Sequence, residues 1–459
     1  MAFFSLAVVC SALSWSAFAQ TTVTPANRTS NAGEVEFMRG VGFAQTPGQT
    51  PRTLGKGLPL QEGDRLTTAD GATAVVKLQD GTRMTVRPGS EMVLSQFKFS
   101  QDAQDNSMVI NMLRGGLRAI TGLIAKGSPN AARIQTNTAT IGIRGTDFDA
   151  RICSVDCGNE GRRIAQNAKP NAIQASAKVL SSRGEVLAVD GAGQRRRLVD
   201  GGGLYPGDVV ETGQGTQAVL AFRDESRVTV GATTRFRIDN FVFDSKNAGE
   251  GRMLTSILKG TVRALSGLIG KANNKNVSYS TSTATIGIRG TEVLIRCVGV
   301  CAGEGGGQGD GLTVFTYSGQ VDVTKLTDFT SSFVLTPGRG LSVTPAGTQE
   351  FGAEPPNDLT APGSLPLPAS LFGSDNVNEN QEGLYVFVRD GHIELTTNSS
   401  VLHLGRNEAG LAGNDGSTVR PQDVPRFLEF DRTPLPNSTN FNVAALLGDS
   451  NITGGRVCR

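Results

Sequence analysis

Hydrophobic and polar residues alternate in short runs along most of the chain, and turn-forming residues separate the runs. Between Gln217 and Arg223, the apolar residues Ala218, Leu220 and Phe222 occupy every second position. This period of two is typical of a β-strand with one buried face. Together with 58 glycines and only 6% aromatic residues, the pattern favours an all-β protein over a helical bundle.

One hairpin turn is explicit in the sequence. Asp80-Gly81 lies between two alternating runs, and this dipeptide favours a tight turn because both central residues need positive φ. The corresponding stretch further along the chain is Asp224-Glu225-Ser226, without a glycine. We therefore predict a longer or differently shaped turn there.

The chain contains the nonapeptide TATIGIRGT twice, at Thr138–Thr146 and at Thr283–Thr291, 145 positions apart. The flanking sequences are also similar, because Leu113–Lys126 matches Leu258–Lys271 at the same spacing. Solenoid repeats are about 20 to 50 residues long, so this longer period predicts two tandem domains instead.

The predicted domains cover residues 33–182 and 183–345, and each is expected to be a β-sandwich or a β-solenoid-like sheet. Domains usually have roughly 100–200 residues, so 459 residues accommodate two or three. The proline-rich stretch 346–381 is predicted to be an extended linker.

Beyond the linker, Gly383–Thr397 alternates again around Asp390-Gly391. It resembles the strand-turn-strand sequences at Ser182–Val186 and Tyr317–Val321. We interpret residues 382–436 as a small C-terminal β appendage and residues 437–459 as a flexible tail.

The first 19 residues are predicted to be a secretory signal peptide. They contain an apolar run and end with the small residues Ala17 and Ala19, which suit cleavage before Gln20, although a basic segment at the start is missing. No later segment is apolar enough to cross a membrane, so we expect a periplasmic or secreted bacterial protein.

The charge of the chain is balanced. Its 44 basic and 42 acidic residues give no bulk attraction to nucleic acid or to an anionic membrane. The run Arg195–Arg197 follows a Gly-Ala-Gly turn and is interpreted as a solvated loop tip, with a specific anion site as the alternative.

The nonapeptide is predicted to be a strand that ends in a bend. Ile141 and Ile143 fall on one face, and Gly142 and Arg144 fall on the other. Glycine at position 142 would allow another backbone segment or side chain to approach closely, and Gly145 would permit the bend. In the second copy the corresponding glycines and threonine are Gly287, Gly290 and Thr291.

Each bend carries an arginine and an acidic residue three positions later, Arg144 and Asp147 in the first copy and Arg289 and Glu292 in the second. Thr146 lies between Gly145 and Asp147. We expect the arginine and the carboxylate to pair and to fix the turn. The alternative is that the guanidinium binds a ligand.

The string T-x-T-A-T-I-G-I-R-G-T-[DE], together with an upstream Gly-Asp turn and the segment L-[RK]-G-x-[LV]-R, resembles the FecR domain, first recognised in an iron-dicitrate sensor. The resemblance covers about residues 33–189 and 179–343. It implies a periplasmic all-β module that meets the signalling domain of an outer-membrane transporter. The namesake regulators also have a cytoplasmic sigma-factor-binding segment and a transmembrane helix. Neither has a counterpart in this sequence, so we do not expect anti-sigma activity.

Four cysteines occur at matched spacing, Cys153 and Cys157 in the first copy and Cys297 and Cys301 in the second. In an exported protein this arrangement favours two local disulfides. A four-thiolate zinc site and free thiols are the alternatives. Cys458 has no evident partner.

Catalysis is not expected. Both histidines, His392 and His403, lie outside the repeats, so a Ser-His-Asp or Cys-His site within them is excluded. The recurring acidic residues lie at turns, where a carboxylate usually caps backbone amides. They are Asp64, Asp80 and Asp147 in the first copy and Asp208, Asp224 and Glu292 in the second. No cofactor or metal is expected.

The sequence therefore predicts a non-catalytic binding or scaffold protein of the cell envelope, with an envelope protein or polysaccharide as its partner. The alternative function is signal relay with a separate membrane regulator or outer-membrane transporter, and glycan hydrolysis is a distant third. The sequence gives no oligomeric state.

Overall fold

The computed structural model describes residues 31–100, 105–127, 131–305, 307, 310–326, 331–378, 380–429 and 435–436. The predicted signal peptide, the predicted tail and Cys458 lie outside these residues.

Strands are the dominant regular element of the structure, which confirms the predicted all-β class. The first group of strands is β1 (Asn31–Arg39), β2 (Gly42–Gln45), β3 (Arg52–Thr53), β4 (Pro59–Gln61), β5 (Arg65–Thr68), β6 (Thr73–Leu78), β7 (Arg83–Val86), β8 (Glu91–Lys98), β9 (Ser107–Arg114), β10 (Gly116–Ile120), β11 (Ala132–Gln135) and β12 (Thr140–Cys153).

The second group of strands follows the first along the chain. Its members are β13 (Ala177–Arg183), β14 (Val186–Val189), β15 (Arg195–Leu198), β16 (Gly203–Leu204), β17 (Val209–Thr212), β18 (Gln217–Phe222), β19 (Arg227–Val230), β20 (Arg235–Val242), β21 (Arg252–Leu265), β22 (Val277–Ser280), β23 (Ala284–Cys297), β24 (Leu312–Lys325), β25 (Ser332–Leu335), β26 (Gly340–Thr344) and β27 (Gly347–Phe351).

The C-terminal strands and the α-helices are short, apart from one long strand. The strands are β28 (Gly383–Thr396), β29 (Val401–Leu404), β30 (Ala409–Gly413) and β31 (Thr418–Val419), and the helices are α1 (Leu123–Gly127), α2 (Val155–Arg163), α3 (Leu268–Ala272) and α4 (Arg426–Glu429).

The strands form two sheets, and the sheets do not follow the chain order. One sheet contains β1–β12 together with β28–β31, and the other contains β13–β27. We call these two halves of the structure the first unit and the second unit. The second unit is therefore inserted between two segments of the first.

The long strand of each nonapeptide shows how the insertion arises. In the second unit, β23 pairs along its whole length with β24, the next strand in the chain. In the first unit, β12 pairs in the same way with β28, so that Thr140 is opposite Thr396 and Cys153 is opposite Gly383. The residues predicted to form a separate appendage thus complete the first sheet. The strand at Ala177–Arg183, predicted to lie in the first domain, belongs to the second sheet.

The core of the first unit confirms that β28 is an integral part of it. Residues from β28 and β29 are fully buried within the same hydrophobic cluster as Ile141, Phe148 and Ala150 of β12; they are Leu384, Val386, Val388, Ile393, Leu395, Leu402 and Leu404. A strand is stabilised by side chains on the strands beside it, and β28 lies beside β12 along its whole length, whereas β10 and β11 each pair with only part of it.

The predicted linker docks along the second unit. Leu359 packs against Leu294 and Phe315, and the backbone nitrogen of Thr360 donates a hydrogen bond to Gln217. The side chain of Arg227 donates to the carbonyl oxygen of Leu365 at 2.6 Å. This segment covers the outer face of β18, so every residue of that strand is buried. The prediction of one exposed face was therefore wrong.

The turn at Asp224–Ser226 has the same form as the Asp80–Thr82 turn. Phe222 donates its backbone N–H to Ser226, as Leu78 does to Thr82, each at 2.8 Å. Glu225 adopts φ of 66°, a conformation that Gly81 adopts in the first unit. The predicted longer turn is thus not formed, because surrounding hydrogen bonds hold a non-glycine residue in the left-handed region.

Candidate functional site

Each nonapeptide ends in a bulged bend that we call the RGT corner, formed by Arg144–Thr146 in the first unit and Arg289–Thr291 in the second. Gly145 and Gly290 have φ of 59° and 60°. Arg144 is opposite His392 and Asp147 is opposite Asp390, so one extra residue is accommodated in β12. Glycine satisfies the positive φ of this bulge without strain, as the sequence predicted.

The threonine of each corner ties three strands together. Thr146 donates its hydroxyl to the carbonyl oxygen of His392 at 3.0 Å, and its backbone N–H donates to the Thr121 hydroxyl at 2.8 Å. Thr291 makes the equivalent bonds to Gln320 and Ser266. These buried bonds explain why the corner needs a hydroxyl.

The close approach predicted at Gly287 does not occur there, and a close approach is found on the neighbouring strand instead. A Cβ added at Gly287 would have its nearest neighbour at 3.9 Å, which is ordinary contact. A Cβ added at Gly391 or Gly319 would lie 2.5 Å from the carbonyl oxygen of Gly145 or Gly290, respectively. The corner bulges towards these two glycines.

The corner arginines do not pair with the acidic residues of their own bends. Arg144 contacts Glu394 at 3.2 Å, and Arg289 contacts Asp322 at 2.8 Å. Both partners lie on the adjacent long strand. The predicted Arg144–Asp147 and Arg289–Glu292 pairs were wrong, because the bulge separates the arginine from the carboxylate.

The carboxylates of the corners contact arginines on a different neighbouring strand. Asp147 lies 3.7 Å from Arg118, and Glu292 lies 2.7 Å from Arg263. Burial raises the pKa of Asp147, although Arg118 and Arg389 oppose the shift. Each corner therefore has two ion pairs across strands and none within the bend.

We expect a double-mutant cycle to detect this arrangement. Arg144→Ala and Glu394→Ala should show a coupling free energy of about 0.5–1 kcal/mol in thermal or urea unfolding, because the pair is partly exposed to solvent. The matched cycle of Arg144→Ala with Asp147→Ala should show little coupling. A larger coupling with Asp147 than with Glu394 would contradict the geometry.

Both predicted disulfides are present. Cys153 is bonded to Cys157, and Cys297 is bonded to Cys301. All four residues are buried, and Cys153 and Cys297 are the last residues of β12 and β23. The sulfurs are thus not arranged as the alternative zinc site, and among the described residues no group of three or more His, Cys, Asp or Glu could hold a metal ion.

Two of the recurring carboxylates in each repeat cap turns. Asp64 accepts a hydrogen bond from the backbone of Gln61 and pairs with Arg52, and Asp208 does the same with Tyr205 and Arg196. Asp80 and Asp224 accept bonds from the residues two positions on. These carboxylates are occupied by structural contacts.

A buried ionic cluster joins the two units. Lys178 of β13 lies 2.9 Å from Glu408, which also lies 3.1 Å from Arg420. None of these three side chains is more than 1% exposed. Lys178 comes from the second unit, whereas Glu408 and Arg420 come from the C-terminal segment of the first.

The protonation of this cluster follows from burial and charge. Burial lowers the pKa of Lys178 to about 8, while the nearby Glu408 opposes the shift. Burial would raise the pKa of Glu408, but Lys178 and Arg420 outweigh it and hold that pKa below its usual range. At neutral pH the cluster therefore contains two cations around one carboxylate.

The two histidines lie beside this junction and contact each other. His403 Nδ1 is 3.3 Å from His392 Nε2, and the rings are stacked. Burial lowers the pKa of both, and for His392 well below 6.5, with help from the neighbouring cations. Both imidazoles are therefore neutral at pH 7.

Sequence reasoning did not find this junction. Lys178 and Glu408 are 230 positions apart, and no local pattern links them. One signal was present, since Lys178 stands among Ala177, Val179 and other residues of a buried strand. A lysine at such a position needs a buried anion.

The comparisons with known proteins support the duplication seen in the sequence. The model of the family described as FecR protein matches residues 64–162 and 208–322. No curated protein matches the chain significantly. No helix in the described part of the chain has the length and apolar character needed to span a membrane.

Crystal structures at 1.65 and 2.50 Å resolution of a candidate anti-sigma factor from Parabacteroides distasonis ATCC 8503 are also similar. They are 16% identical in sequence, and the match has a TM-score of 0.24. It covers 32% of this chain and 60% of the other. The family match falls on both RGT corners and on the hairpins before them. The family model therefore identifies one FecR-like region in each unit of this chain.

Proposed function

We propose that this protein relays a signal in the bacterial cell envelope, acting with a separate membrane regulator or outer-membrane transporter. The observation that carries the proposal is the FecR match on both units. The resemblance described above implies an envelope module that meets a transporter domain. This match favours the relay function over the general binding scaffold that was the first expectation from the sequence.

The connection between the units supports a relay. The first sheet is completed only by residues that follow the second unit in the chain, and the Lys178–Glu408–Arg420 cluster ties the units together. A partner that displaces one unit would therefore act on the other through a continuous packed structure. We propose that the protein works without catalysis, since the turn carboxylates are held in structural contacts.

The function can be tested by deleting the gene in its source organism and restoring it from an inducible promoter. A relay component should change a small set of transcripts within minutes of induction. Fractionation of the same cells should find the protein in the periplasmic or secreted fraction. A sigma-factor or transporter gene next to this one would further support the proposal.

The partner can be identified in the same cells. A photo-crosslinking amino acid can replace Val41 of the first unit or Val242 of the second, since these side chains are 54% and 56% exposed. The same variants kept without irradiation provide the control. Crosslinks from an exposed position to a membrane regulator or transporter are expected. Unchanged transcripts, combined with crosslinks only to wall components, would contradict the relay and favour a scaffold.

A further inference from the structure

A cleft of about 530 Å³ lies where the two units meet. One wall comes from the first unit, with Arg144 and Gly145 of its RGT corner and the strand β28 beside it. The other wall comes from the second unit and includes the edge strand β15. Its volume is in the range of small-molecule sites.

Basic side chains outnumber acidic ones in the lining of this cleft. Its lining includes two acidic side chains, Asp190 and Asp390, and six basic ones, Lys126, Arg144, Arg195, Arg196, Arg197 and Arg406. Four of these basic residues have ionic partners: Glu394, Glu211, Asp208 and Asp390. Lys126 and Arg197 have none among the described residues, so cationic groups remain available on both walls.

Unpartnered polar atoms provide a second, independent observation. His392 lines the cleft and is only 9% exposed, yet its Nδ1 has no hydrogen-bond partner in the described part of the chain. The buried Nε of Arg144, which also lines the cleft, lacks a partner in the same way. Buried polar groups are normally satisfied, so these two atoms show that the polar groups beneath the cleft surface are incompletely paired in this structure.

An aromatic residue holds two of the guanidinium groups near each other. The ring of Tyr205 lies 5.4 Å from Arg196 of the second unit and 5.0 Å from Arg406 of the first. The Tyr205 hydroxyl also accepts a hydrogen bond from the backbone of Arg406 at 3.1 Å. Cation–π contacts with this one ring therefore bring an arginine from each unit together at the cleft.

We propose that this cleft binds a small molecule with two or more anionic groups, either carboxylates or phosphates. One group would contact Arg144 and Lys126 on the first unit, and another would contact Arg197 on the second. Guanidinium groups suit such ligands because they bind carboxylate and phosphate with paired N–H donors. The ligand would bridge the two units and stabilise their observed arrangement.

This site assigns a role to one feature of the sequence. The run Arg195–Arg197 was interpreted as a solvated loop tip, with an anion site as the alternative. It forms edge strand β15 and lines the cleft, which favours the alternative. The second unit's own corner arginine, Arg289, does not line this cleft.

Isothermal titration calorimetry on the full mature chain tests the proposal. The probes are inorganic pyrophosphate and propane-1,2,3-tricarboxylate, each titrated in low-salt buffer and again in about 0.15 M salt. At least one probe should bind saturably at one site per chain in both buffers. Arg197→Gln and Lys126→Gln should each weaken that binding about tenfold, and the double variant should weaken it further.

Arg296→Gln is the matched control, because Arg296 is an exposed arginine of the second unit outside the cleft. It should bind like the wild type. Equal affinity of all variants, or saturable binding by neither probe, would overturn the proposal. Binding that disappears in about 0.15 M salt would also overturn it, since this would show only nonspecific attraction. The mutated side chains are exposed, and circular dichroism will confirm that the variants are folded.

Discussion

Val386→Asp is expected to unfold the first unit while the second unit remains folded. Val386 lies in β28, opposite Ala150 of β12, and is completely buried. An aspartate there would place an unpaired carboxylate in the core of the first sheet. We expect a loss of about 4 kcal/mol or more in the free energy of unfolding of that unit.

Hydrogen exchange read by mass spectrometry can locate the effect along the chain. Amides of β9 and β12 should lose protection in Val386→Asp, whereas those of β21 and β23 should keep it. This result would be unexpected for a separate appendage, since residue 386 follows the second unit in the sequence.

Val314→Asp is the matched control. Val314 of β24 lies opposite Ile295, the position equivalent to Ala150, and is equally buried. The Val314→Asp substitution should produce the reverse pattern of hydrogen exchange, with protection lost in β21 and β23 and kept in β9 and β12. If Val386→Asp left β12 protected, residues 383–396 would not be an essential part of the first sheet.

Glu408→Gln is expected to lower the free energy of unfolding by about 3–5 kcal/mol, because it leaves Lys178 and Arg420 buried without their anion. Urea unfolding at pH 7 measures the loss. The pKa of Glu408 is held below its usual range, so its stabilising effect is complete above the ordinary value of about 4.3. The effect is lost as the pH falls through the lower folded-state pKa. The difference between wild type and variant should therefore shrink in strong acid.

Two variants serve as controls for this prediction. Lys178→Met should cost less, because Glu408 keeps its contact with Arg420. Glu304→Gln removes a solvent-exposed partner of Lys259 and should cost less than about 1 kcal/mol. If Glu408→Gln were as mild as Glu304→Gln, the cluster would not hold the units together.

Several features of the site could be read directly from the sequence because they are local. The disulfides close loops within five residues, and Asp80 and Asp224 cap turns two residues away. The positive φ of Gly145 follows from its place at a bend. In each case the interacting groups are close in sequence, so residue type and spacing are sufficient to predict the contact.

The partners of the corner arginines could not be read in this way. Alternation shows which face of a strand a residue occupies but does not show which strand lies beside it. Arg144 meets Glu394, which is 250 positions away, and the equivalent Arg289 meets Asp322, which is 33 positions away. The two copies have the same local sequence and different chain connections.

The sequence by itself determined the β class, the duplication, the local disulfides and the FecR resemblance. It also contained the likeness between Tyr317–Val321 and the stretch around Asp390-Gly391, which the structure explains as the same strand position in two units. Only the tertiary structure decided that β28 returns to β12, that Lys178 meets Glu408, and that Arg144 and Arg197 face one cleft. These contacts join residues far apart in the chain. The pairing of β12 with β28 forms because a long strand with an open edge is stable only when a second strand satisfies its hydrogen bonds and covers its core.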